Sequence, residues 1–230
     1  EPPPARDRAA HGKALLAQLQ AARTIGESQR TEASALGIPE PAGISISFAS
    51  DPDVELAVKS LEAEKSGIRL LAVKQEGPVT VASVFVPNGK LRILEKKIET
   101  YVAEDVSGRE GKPKNEKLVA SIGKISRAVA EKLWTEDEPY PSGDDSLWWE
   151  VWIRTSEDGR VEDRFRQAAA LLGLEVRDRS IAFLDRRVLV VHASTAQIER
   201  SVSLLDMVAE LRRAKDSPAD FTQMHPREQK

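Results

Sequence analysis

Hydrophobic and polar positions recur along this chain with two different periods, and the order in which the periods alternate repeats. The two-residue period is clearest in Leu147–Arg154. Leu147, Trp149, Val151 and Ile153 fall on one face there, and Trp148, Glu150, Trp152 and Arg154 on the other, as in a strand with one buried side. Core packing is the first reading of these tryptophans; a contact surface built on Trp148 and Trp152 is the second. Ile44–Phe48 alternates in the same way. Ile68–Lys74 and Val79–Val86 read as strands joined at Gln75-Glu76-Gly77-Pro78, a turn that favours a hairpin. Ahead of that hairpin, Asp51-Pro52 offers an N-cap and a first-turn proline for a helix through Leu61, with Gly67 as its stop. Leu91, Leu94, Ile98 and Val102 then share one helical face. The order is β-α-β-β-α.

From Leu147 the same order begins again. A turn at Ser156–Gly159 leads to a helix on Val161, Phe165, Ala168, Ala169 and Leu172, stopped by Gly173. Strands come next at Leu174–Arg177 with Ile181–Leu184 and at Val188–His192. Ser194 or Thr195 caps a last helix with the stripe Ile198, Val202, Leu205, Val208 and Leu211. Aligned at Gly67-Ile68 with Gly173-Leu174, each unit matches five of the six elements of a ferredoxin-like split βαβ. The expected fold class is α+β: two tandem ferredoxin-like (βαββα) units with an extra N-terminal helix, over Arg8–Arg23, and a connecting helix, over Leu118–Trp134. Without a fourth strand each sheet has an edge to satisfy, against the other sheet or elsewhere. The division is an N-terminal helix and linker (1–43), a first unit (44–104), a connecting loop and helix (105–146), a second unit (147–215), and a tail (216–230) leading toward a missing domain.

Composition narrows the function. Charged residues make up 31% of the 230 positions and aromatics 5%, which describes a soluble globular protein, and a net charge of −3 argues against a nucleic-acid role driven by a basic field. With no cysteine there are no disulfides or thiolate metal sites, which suits the cytoplasm. The apolar runs are far short of a membrane span, and Glu1-Pro2-Pro3-Pro4 has no apolar leader core. No catalytic constellation, cofactor loop or metal set is expected. His11, His192 and His225 lie far apart, with His192 structural at a strand end and His11-Gly12 in a polar helix. Glu136-Asp137-Glu138 and Asp144-Asp145 read as a solvated acidic loop. Lys112, Lys114, Arg186 and Arg187 sit in basic turns able to contact anions.

Several phrases together carry a resemblance: Gly111-Lys112-Pro113-Lys114-Asn115, Leu133-Trp134-Thr135-Glu136, Trp148-Trp149-Glu150-Val151-Trp152-Ile153-Arg154 and Ala209-Glu210-Leu211-Arg212. The chain, from about Arg8 to Gln229, resembles the N-terminal region of bacterial subtilisin-like serine peptidases of the kind encoded beside an AAA-type ATPase and associated with defence against phage. Where Phe-Pro is expected in the second repeat, this chain has Phe183-Leu184. It carries none of the Asp-Thr/Ser-Gly, His-Gly-Thr or Gly-Thr-Ser-Met motifs that supply the subtilase triad, so alone it is expected not to hydrolyse peptides. The resemblance implies a non-catalytic, propeptide-like regulator that docks on the catalytic domain of the same parent chain or on the ATPase, with Ser217–Lys230 entering the cleft and Trp148/Trp152 as a docking face. The alternative is a ligand- or nucleic-acid-sensing module served by the four basic residues.

Overall fold

A computed structural model of the chain describes residues 4–155, 159–204 and 206–215. Helix α1 (Arg8–Ala35) starts at Asp7, whose carboxylate accepts from the Ala10 amide, and runs through most of the segment expected to be a linker. Gly12 and Gly26 explain how so polar a helix packs. A Cβ at Gly12 would lie 2.2 Å from the Val102 Cγ2 atom, so only glycine allows the approach. Strand β1 (Gly43–Ser50), the hairpin of β2 (Arg69–Glu76) and β3 (Val79–Pro87), and helix α2 (Leu91–Ala103) match the sequence pattern.

The crossover after β1 corrects the expected helix at Asp51–Leu61. Only two short 3-10 turns form, at Val58–Ser60 and Glu64–Ser66. The Asp51 carboxylate pairs with Arg6 at 2.7 Å instead of capping a helix, and Asp53 takes a positive φ of 60°. Helix α1 supplies the missing cover: Leu15 and Leu19 join Ile46, Phe48, Leu94 and Ile98 in one core.

A second correction concerns Leu118–Trp134, expected as one helix. The chain forms a small hairpin of β4 (Asp105–Val106) and β5 (Arg109–Pro113), then a short helix α3 (Glu116–Val119), strand β6 (Ile122–Arg127) and a short helix α4 (Ala130–Leu133). Strand β6 pairs antiparallel with β1, completing a sheet of order β2-β3-β1-β6. The second unit comprises β7 (Ser146–Arg154), α5 (Val161–Leu171), β8 (Glu175–Ala182), β9 (Arg186–Ser194), α6 (Thr195–Leu204) and β10 (Val208–Arg213). Its sheet runs β10-β7-β9-β8. Here too the expected last helix stops early and its end is a strand. The expected turn at Ser156–Gly159 lies largely outside the described residues.

Both sheets thus have the order fourth-first-third-second with antiparallel neighbours, the ferredoxin-like arrangement. The protein is α+β, two tandem ferredoxin-like units with an N-terminal helix and a connection bearing α3 and α4. Each unit has the fourth strand that the sequence pattern left out. The second sheet does not end at β10 either: Trp134 bridges Leu211 in parallel, and the Thr135 amide donates to the Leu211 carbonyl.

One core is shared. Leu71, Ala72 and Phe85 of the first sheet, with Ala33, Ile38 and the α4 residues Ala130 and Leu133, belong to the same buried cluster as Trp149, Val151, Phe165 and Leu189 of the second unit. Burying such side chains contributes roughly 1.5–3 kcal/mol each.

Candidate functional site

Strand β7 alternates in burial as its sequence does. Trp149, Val151 and Ile153 are fully buried, while Trp148, Glu150, Trp152 and Arg154 are half-buried on the opposite face. Trp149 donates from its indole to the Ala193 carbonyl at 2.9 Å. Its ring meets Trp134 edge to face with centroids 5.7 Å apart. The fourth tryptophan is therefore core as well.

On the outer face of the second sheet, both half-buried indoles already have partners. Arg177 lies over Trp148, its guanidinium carbon 4.4 Å from the ring, and His192 packs against the same indole at 4.8 Å. His192 also approaches Glu175, with Nδ1 3.5 Å from the carboxylate. Trp152 has the Phe183 ring stacked on it at 5.3 Å and the Arg212 guanidinium 4.6 Å away. Its indole nitrogen donates to Glu150 at 3.3 Å. This arrangement leaves the apolar tip of the β8–β9 connection in solvent: Ile181 is 61% exposed, Phe183 50% and Leu184 100%. Exposed apolar groups contiguous with an indole mark contact surfaces more than lone ones do. Sequence reasoning missed this tip, although an apolar Phe183-Leu184 pair at a turn is its signal.

At its far end the same face becomes the joint between units. Arg154 lies over the Phe85 ring of the first unit and donates to the Asp206 carbonyl at 2.8 Å. Its Nη2 lies 3.5 Å from the Asp206 carboxylate. Burial pulls the Arg154 guanidinium down to about 10, the Asp206 charge opposing this, so it stays protonated at neutral pH. Burial pushes the Asp206 carboxyl up, partly offset by Arg154 and by backbone N–H groups of Ala42 and Gly43.

The four basic candidates have separate settings. Arg186 donates to the Leu70 and Leu71 carbonyls across the joint, at 3.4 and 3.1 Å. Arg187 pairs with Glu162 at 3.0 Å on the core side of the sheet. Lys114 pairs with Glu104 at 2.6 Å, and Lys112 is exposed on β5. They form no single anion site. His11 has a structural role: its Nε2 is 3.0 Å from the Val119 carbonyl, and its ring meets Tyr101 edge-on. Among the described residues no three His, Cys, Asp or Glu side chains come together in a way that could hold a metal, and no helix is long and apolar enough to cross a membrane. His225 and Ser217–Lys230, the stretch expected to enter a peptidase cleft, lie outside the described residues.

Among known proteins, the family model described as the Y4kK N-terminal domain matches residues 9–129. No curated protein matches the chain. The solved small subunit of acetolactate synthase from Thermotoga maritima is similar over 74% of this chain and 92% of its own, at 14% identity and a TM-score of 0.23. That superposition is too loose to carry an argument, and the fold rests on the strand order above.

Proposed function

The chain belongs to the family of the Y4kK N-terminal domain, and from that premise we propose that it is a non-catalytic regulatory domain that docks on a partner domain. The observation that carries this reading is the apolar tip Ile181, Phe183 and Leu184, beside Trp152 with the Phe183 ring stacked on it. Interfaces draw their energy from a few aromatic and aliphatic anchors of this kind. The partner is a subtilisin-like serine endopeptidase domain on the same parent chain, as the resemblance in Gly111–Asn115, Leu133–Glu136, Trp148–Arg154 and Ala209–Arg212 implies, with an AAA-type ATPase as a second contact and phage defence as the setting. The domain works in the cytoplasm, in keeping with the absence of cysteine.

The test is peptidase activity of the matching catalytic domain, titrated with this chain added in trans. Saturable inhibition, weakened by Phe183→Ser with Leu184→Ser, is the expected result. Absence of any binding would overturn the reading.

A second reading, recognition of a nucleotide or nucleic acid, is favoured by one feature: Arg177 over Trp148 and Arg212 over Trp152 lie on the open face of a four-stranded ferredoxin-like sheet, where RNA-binding domains carry base-stacking aromatics. The net charge of −3 and the Phe183 ring already on Trp152 weigh against it. A thermal-shift screen with nucleotides and oligonucleotides separates the two.

A further inference from the structure

A cleft of about 320 Å³ opens at the joint between the units, where the start of β2 meets the end of β7 and the start of β9. Arg69 lines it from the first unit, and Arg154 and Arg186 from the second. Burial is the main reason that the Arg154 and Arg186 guanidinium groups are pulled below the ordinary arginine value. Their mutual repulsion adds to it: Arg186 and Arg69 act on Arg154, and Arg69 on Arg186, opposed by Asp206 on the first and by Asp185 and Glu210 on the second. The carboxylates of the lining, Glu62, Glu64 and Asp185, match the arginines in number but not in depth. Side-chain exposure is 14% for Arg154 and 17% for Arg186 but 64% for Asp185. Glu64 is exposed too, and Glu62 already accepts from the Leu70 amide at 3.1 Å. Half-buried charges are screened less than exposed ones, so the cations set the field inside the cleft and the carboxylates edge its mouth.

The donors are fixed in place without being used up. Arg154 lies over the Phe85 ring and spends Nε and Nη2 on the Asp206 carbonyl. Arg186 spends Nη2 on the Leu70 and Leu71 carbonyls. Nη1 of each, and the whole Arg69 guanidinium, make no hydrogen bond among the described residues. Two of the three arginines therefore lose little freedom when a ligand arrives, and guanidinium forks suit a tetrahedral oxyanion. The volume is at the small end of ligand pockets, roughly 300–1,000 Å³, and the carboxylates at the mouth repel a polyanion such as nucleic acid. We propose that this cleft binds the phosphate group of a small molecule, held between Arg69 of the first unit and Arg154 and Arg186 of the second. Its holders come from both units, so the ligand binds only while they are docked and stabilises the joint by mass action. The proposal stands apart from which protein the apolar tip engages.

The test is calorimetric titration of the full chain with inorganic phosphate and with glycerol 3-phosphate, a phosphate monoester, each against sodium chloride at matched ionic strength. Saturable binding of at least one, with a raised urea midpoint, is expected, and the tighter of the two tells a free phosphate from an esterified one. Arg69 is exposed, so Arg69→Gln should leave the ligand-free urea midpoint unchanged while weakening binding roughly tenfold or more, as loss of a hydrogen bond between charged groups does. Arg186→Lys keeps the charge but loses the fork, and should weaken binding as well. Affinity undiminished in Arg69→Gln, an effect no greater than that of matched chloride, or no binding of either probe at low salt would overturn the proposal.

Discussion

Glu162 ties three elements of the second unit together, accepting from Arg166 at 2.9 Å, Arg187 at 3.0 Å and Ser180 at 3.0 Å. Burial alone would raise its pKa, but the hydrogen bonds of Arg166 and Ser180 and the charges of Arg166 and Arg187 outweigh it and hold the carboxyl below its ordinary 4.5. Folding depresses the pKa, so the stabilisation is present above the unfolded value and is lost as pH falls through the folded one. Glu162→Gln is expected to cost roughly 1–3 kcal/mol at neutral pH and nearly nothing in acid below the glutamate range, which urea titrations at the two pH values would read. Gly123 makes a different kind of demand. A Cβ there would sit 2.2 Å from the Asp51 carboxylate and 3.0 Å from its backbone nitrogen. Gly123→Ala should destabilise by roughly 1–3 kcal/mol through overpacking, with a lower urea midpoint and an unchanged slope.

At the scale of elements, that glycine explains why β6 hid in the sequence. Ile122 faces Ser50 and Lys124 faces Ala49, so Gly123 is an extra residue, a bulge, and the core residues Ile122 and Ile125 end up three apart. In β10, Val208 faces Ile153 and Glu210 faces Trp152, so Ala209 is extra and the core residues Val208 and Leu211 are again three apart. A bulge near the start of a strand turns a period of two into a spacing of three, and three is read as helix. In both units the fourth strand therefore reads in the sequence as part of a helix. A bulge alone does not hide a strand: β2 carries an extra residue at Leu71, yet the β2–β3 hairpin was legible from its turn at Gly77, whose φ is +58°, and Ser194 forms a capping box with Gln197, the amide of each meeting the other's side chain. The half-buried tryptophan face was legible as alternation in Leu147–Arg154. The acidic loop at Glu136–Glu138 was legible too, but its place between the end of β2 and the start of α6 was not, since those neighbours come from the two different units. The β8–β9 tip belongs to this scale too: Phe183→Ser and Leu184→Ser should shift stability by about 0.5 kcal/mol or less, as exposed positions do, while weakening partner capture, a separation that thermal unfolding and binding assays measure side by side.

For the whole molecule, the joint decides whether two units behave as one. Asp206 and Phe85 are buried, with the half-buried Arg154 between them, where the shared core meets the first sheet. Removing one member of a buried ion pair strands the other, at roughly 3–5 kcal/mol. Arg154→Ala should therefore lower the urea midpoint and part the two probes of unfolding. Tryptophan fluorescence reports the second unit and its α4 flank, far-UV circular dichroism reports α1 as well, and the wild-type curves should coincide. The same joint bears on kinship. The family match ends at residue 129, after β6 and before α4, so the matched part is a sheet that carries Leu71, Ala72 and Phe85, residues kept dry by α4 and the second unit. Were that part set beside a different neighbour, those three positions would have to meet a new apolar lid or turn polar, so the matched sheet is dry only in the company of the half that follows it.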